Sequence, residues 1–270
     1  MNTVHTPRRA LQRGLATALI GVTGIAPIAA QAACAVNSGA STTALVELYT
    51  SEGCSSCPPA DRALGQLDAA LAPGAAAIPI ALHVDYWDSI GWKDPFAQAA
   101  FGTRQSWRVG VLHKRSVWTP HFFVNGGELR DWRDALRDQV ARINAQPARA
   151  SVKLDAQLTA DGALAINASG ALKTAGAAAD RPALYVALTE SGLSSKVTRG
   201  ENGGATLHHD HVVRSLIGPI AFADGKAALN QRIALPADWN RGGLEVVGFV
   251  EDSASGAVLQ AATTGQCLRS

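Results

Sequence analysis

The sequence predicts an α/β domain over residues 43–146 followed by a mainly antiparallel, sandwich-like β domain over residues 151–265. Two textures lead there. Up to Gln146, apolar runs of strand length alternate with stretches of helical periodicity. Beyond Pro147 the runs are short, alternate in polarity and are separated by glycine-bearing turns. With 47% hydrophobic and 17% charged residues, the chain has the material for a real core.

In the first region Ala44–Tyr49 reads as a buried strand and Cys57–Leu71 as a helix, with Ala60, Leu64, Leu67 and Leu71 at helical spacing. Pro58 and Pro59 fit only its first turn, where no amide donor is needed. Pro73-Gly74 ends it. Ile78–Val84 is a second strand, Phe96–Arg108 a helix, and Phe122–Val124 a strand closed by Asn125-Gly126-Gly127. Asp131–Asn144 is a helix buried through Trp132, Leu136, Val140 and Ile143. The alternation of Asp and Arg between 130 and 142 is its solvated face. In the second region, strands are expected at 152–158, 163–168, 183–189, near 207–213, and at 228–235, 244–250 and 257–261.

Residues 1–32 read as a signal peptide: a basic start (Arg8, Arg9, Arg13), an apolar run from Leu15 to Ala30, and Ala30-Gln31-Ala32 before the expected cut. The run is too short and too rich in Gly and Pro for an anchor, so no stable membrane insertion is expected. Its loss removes three of 24 basic residues and none of the 22 acidic ones, leaving a nearly neutral chain with no electrostatic footprint for nucleic acid. The expected location is the periplasm, or outside the cell. Four cysteines in an exported chain imply an oxidising compartment. Cys54 and Cys57 form a tight pair. Cys34 and Cys267 remain at the two ends, and a structural disulfide between them is the simplest completion.

Cys54-Ser55-Ser56-Cys57 stands where a strand gives way to a helix. Amides and the helix dipole there favour a thiolate, so Cys54 is expected as an exposed nucleophile and Cys57 as the resolving thiol. A structural bridge, or half a zinc site, would also use such a pair; with no second Cys-x-x-Cys, no metal site is assigned. Val46-Glu47-Leu48-Tyr49 followed by this motif, and Trp118-Thr119-Pro120-His121-Phe122-Phe123-Val124-Asn125-Gly126, resemble the first strand, active site and cis-proline strand of thioredoxins. That resemblance implies a cis Pro120, a Thr119 backbone facing the cysteines, and Glu47 as a proton relay for Cys57. Gly53 stands where thioredoxins carry Trp, which would open the first sulfur.

A longer similarity joins Leu48–Asp61, His83–Asp88, Arg199–Asn202, His209-Asp210 and Val212–Arg214 to an exported bacterial family, domain of unknown function 1223. It implies a thioredoxin-like fold and no established activity. His83 and Asp85 share a face on strand geometry and are candidates for an acid–base pair near Cys54. Trp87 and Trp118 are candidate rim residues for a peptide substrate. His208-His209-Asp210-His211 reads as a surface strand.

These readings converge on an exported thiol–disulfide oxidoreductase that needs no cofactor. It would act on protein or small-molecule disulfides, with cysteine-containing exported proteins or a redox partner protein as partners. The alternative is a periplasmic copper-binding or carrier protein using the same cysteines plus His83 or His121.

Overall fold

A computed structural model describes residues 1–3, 33–173 and 181–269; the expected signal peptide lies almost wholly outside the described residues. Its elements, in chain order, are β1 (Ala33–Asn37), β2 (Ala44–Thr50), α1 (Pro58–Gly65), α2 (Leu67–Ala70), β3 (Ala77–His83), α3 (Ala99–Val111), β4 (His121–Val124), β5 (Gly127–Leu129) and α4 (Trp132–Asn144). The second region adds β6 (Ala150–Leu158), β7 (Ala163–Leu172), β8 (Pro182–Glu190), β9 (Leu193–Lys196), β10 (Thr206–His209), β11 (Val212–Ala221), β12 (Lys226–Ala234), β13 (Leu244–Asp252) and β14 (Val258–Thr263).

The fold is mixed α/β and dominated by sheets. An eight-stranded sheet runs β14-β13-β8-β11-β3-β2-β4-β5, a four-stranded sheet runs β1-β6-β7-β12, and β9 and β10 form a separate hairpin. In β2, Ala44, Val46 and Leu48 point into one core and Leu45 and Tyr49 into another, the two-residue period of a strand covered on both faces. One face of the large sheet carries α3 along its middle, with Phe101 and Val109 packed on Ile80, Leu82, Phe123, Ala187 and Phe249. The opposite face is shared. The four-stranded sheet covers the β8, β13 and β14 end, and α1 and α4 cover the β2, β3 and β4 end.

Two expectations change here. The helix expected over Cys57–Leu71 breaks at Gln66 (φ −103°, ψ 11°). Its last residue is Gly65, a weak helix former placed where a Cβ would come within 2.9 Å of Asp210 Oδ2. The two regions also do not fold as separate bodies. Residues 31–270 make one compact unit, because β11 joins β3 in parallel at Val212↔Ala81 while pairing antiparallel with β8. The four-stranded sheet packs on one end of the eight-stranded sheet, which is the α/β sheet continued.

Two further devices tie the halves together. Glu47 on β2 and Glu251 on β13 share the guanidinium groups of Arg104 and Arg108 on α3, a buried cluster of two anions and two cations. Cys34 and Cys267 form a disulfide that links β1 to the C-terminal turn across 233 residues. Among the described residues, no helix is long and apolar enough to cross a membrane.

Candidate functional site

Cys54 and Cys57 form a disulfide with their Cα atoms 5.4 Å apart. Thr50 ends β2, the chain turns through Ser51–Gly53, and Cys57 is the N-cap of α1, with Pro58 and Pro59 opening the helix. The amides of Ala60 and Asp61 donate to the Cys57 carbonyl at 2.8 and 3.1 Å, so helical spacing already applies from Cys57 onward. Tyr49 pairs with His121 across β2 and β4, which brings Thr119-Pro120 to the sheet edge from which the cysteine loop leaves. The Thr119–Pro120 bond is cis; so is Gly218–Pro219, which carries no sequence signal.

The sulfurs are not exposed. Cys54 and Cys57 are both 0% accessible, against the expectation of an open nucleophile. Gly53 leaves no opening, because its missing Cβ would sit 3.0 Å from the Cβ of Trp87, which fills that space. The turn between β9 and β10 supplies a second cover. Asn202 Nδ2 donates to the carbonyls of Glu52 (2.8 Å) and Cys54 (3.0 Å). The Glu201 carboxylate accepts from the amide (3.0 Å) and hydroxyl (2.7 Å) of Ser55, which lowers its pKa. Ser55 and Ser56 remain exposed above the bridge.

Glu47 does not serve Cys57. Strand alternation turns it to the α3 face of the sheet, whereas α1 packs on the other. Burial would raise its pKa, but Arg104 and Arg108 outweigh that and hold it ionised. Asp85 does not pair with His83 either. The chain leaves strand geometry after His83, and Asp85 Oδ1 lies 3.4 Å from where a Gly102 Cβ would be, beside α3. The partner of His83 is Asp94, with Nδ1 to Oδ2 at 2.7 Å. Burial opposes a charged His83, yet Asp94, Asp61 and Glu52 raise its pKa; Asp94, also buried, is in turn lowered by His83.

Behind the cysteine loop lies a polar cluster that only the folded chain assembles. Glu52 accepts from Trp92 Nε1 (2.7 Å) and reaches His209 Nε2 (2.9 Å), and its amide donates to Asp94 Oδ2 (2.8 Å). His209 is therefore buried against the site, not part of a surface strand, and its ring meets that of His83 edge to face at 5.0 Å. Trp87 packs into the α3-side core with its Nε1 unpartnered. Trp118 stacks on His121 at 3.8 Å and lines a cavity of about 310 Å³ with Pro120, Leu129, Arg130 and Trp132. His121 engages Gln105 through Nδ1 and Glu128 through Nε2, and burial lowers its pKa. His121 is thus engaged at both ring nitrogens, whereas His83 commits only Nδ1, to Asp94.

The family described as protein of unknown function (DUF1223) matches residues 45–251. The chain belongs to that family. The matched span takes in both the cysteine loop and the hairpin that covers it. Two solved structures are similar in fold. One is a crystal structure of a protein from Agrobacterium tumefaciens, 23% identical, covering 83% of this chain and 94% of that chain, with a TM-score of 0.59. The other is HBP35 of Porphyromonas gingivalis, 15% identical, covering 84% of this chain and 76% of that chain, with a TM-score of 0.65. A comparison with curated proteins finds no match.

Proposed function

We propose that this chain is an exported thiol–disulfide oxidoreductase, with a thioredoxin-like unit formed by residues 43–146. The observation that supports it most is the closed Cys54–Cys57 bridge at the start of α1, on the sheet edge that also carries the cis Thr119–Pro120 bond. Such a pair cycles between dithiol and disulfide with little backbone movement. In the dithiol state Cys54 attacks a substrate disulfide, a mixed disulfide forms, and Cys57 displaces the substrate thiolate. The Cys34–Cys267 bridge supports action in an oxidising compartment, on cysteine-containing exported proteins or a redox partner. Substrate reaches Cys54 when the tip of the β9–β10 hairpin lifts.

A second reading, a purely structural bridge, draws on the complete burial of both sulfurs. Reduction of insulin disulfides separates the two. The wild-type protein is expected to turn over insulin with dithiothreitol, and Cys54→Ser to fall to the rate of dithiothreitol alone. Equal rates for both proteins would leave only the structural reading.

A further inference from the structure

Three buried polar atoms where α1 meets the sheet make no close hydrogen bond: Thr50 Oγ1, Asp61 Oδ1 and His83 Nε2. They belong together. Thr50 and His83 are direct cross-strand partners in β2 and β3, and both side chains lie on the face covered by α1. Asp61 is four residues after Cys57 on that helix, and its amide bonds to the Cys57 carbonyl. Side chains four apart on a helix are neighbours, about 5–6 Å between Cβ atoms, and lean toward the N-terminal turn. The Asp61 carboxyl therefore leans toward Cys57. The groups around it are the Thr50 hydroxyl from β2, which favours the carboxylate, His83 from β3, His209 from β10 and Asp94 from the intervening loop. Glu52 acts on it through His83, and Asp210 stands one turn further along, beside Gly65.

We propose that Asp61 is the proton-holding group for Cys57, with His83 and Asp94 as its positioning pair. This rests on the redox reading above. In the resolving step the Asp61 carboxylate takes the proton of the Cys57 thiol, and the thiolate attacks Cys54 Sγ of the mixed disulfide. The Cys54–Cys57 bond forms, the bond from Cys54 to the substrate sulfur breaks, and the substrate leaves as a thiolate that solvent protonates. The pair is oxidised, the substrate is reduced, and the proton stays on Asp61. Burial favours the protonated carboxyl that this step leaves behind. His83 contributes through Nε2, since Nδ1 is committed to Asp94. The arrangement does for Cys57 what Glu47, on the wrong face of the sheet, cannot.

Stopped-flow oxidation of the reduced protein by bis(2-hydroxyethyl) disulfide resolves the two steps. Asp61→Asn is expected to slow resolution of the mixed disulfide by about 100-fold, the usual order for a lost acid–base group. Its rate profile should move to higher pH, while the first attack by Cys54 changes little. His83→Gln should affect the same step by a smaller factor. A merely structural role would slow both steps alike and leave the pH profile in place. Redox-difference infrared spectra of the wild-type protein keep the test independent of variant folding. A buried protonated-carboxyl band should be stronger in the disulfide form, and an unchanged band would overturn the relay. Resolution and pH profiles unchanged in both variants, with an active wild type, would overturn the relay alone. A wild type inert toward the disulfide would overturn the functional reading and the relay with it.

Discussion

Arg104 and Arg108 carry two positive charges into the interior because Glu47 and Glu251 are there to meet them. Burial opposes a charged guanidinium, and the two carboxylates more than offset it, so both arginines are held firmly protonated. Such a cluster is a poor source of net stability compared with an apolar core, but it is unforgiving of a missing member. Replacing Arg108, whose side chain is fully buried, by Met leaves two carboxylates around one cation. The expected loss is about 3–5 kcal/mol in urea unfolding. A loss below about 1 kcal/mol would mean that the cluster is not an energetic unit. None of this was legible in the sequence. On helical spacing Arg104 and Arg108 are simply two polar positions of an amphipathic helix, and their acidic partners are 57 and 147 residues away from Arg104. Asp61 closes the Leu48–Asp61 motif, but its surroundings depend on Thr50 and His83, which the sheet register brings beneath it.

At the scale of elements, strand and helix order followed from period and punctuation. The buried runs at 44–49 and 78–84, the proline-opened helix after Cys57 and the Trp132–Ile143 stripe all correspond to elements observed within a few residues. The short strands β1 and β9 were missed, since their few residues carry little periodicity. The β9–β10 hairpin carries contacts that no local pattern announces. Arg199–Asn202 and His209-Asp210 read as a feature of a separate domain, yet Glu201, Asn202 and His209 all bind the cysteine loop. A contact spanning 148 residues leaves no local signal. The consequence is testable in the element itself. Asn202→Ala removes two neutral hydrogen bonds that hold the tip down, each contributing about 0.5–1.5 kcal/mol. Alkylation of the reduced Cys54 by iodoacetamide should then accelerate by roughly 5- to 150-fold if opening limits access. An unchanged rate would mean that the tip does not gate the sulfur.

Across the whole molecule, the eight-stranded sheet runs through both regions, and the β9–β10 hairpin brings the second region onto the cysteine loop. The two disulfides divide the labour by position. Cys34–Cys267 closes a loop of 233 residues and resists opening for as long as β1 and the C-terminal turn stay packed. Cys54–Cys57 spans only three residues and is covered by a surface hairpin. Equilibrating the native protein across a series of glutathione ratios, then alkylating and mapping each cysteine by mass spectrometry, tests this division directly. Cys54–Cys57 is expected to open and reclose reversibly while Cys34–Cys267 stays closed and the fold persists. A Cys54–Cys57 bridge that yields only together with Cys34–Cys267, as the protein unfolds, would contradict it.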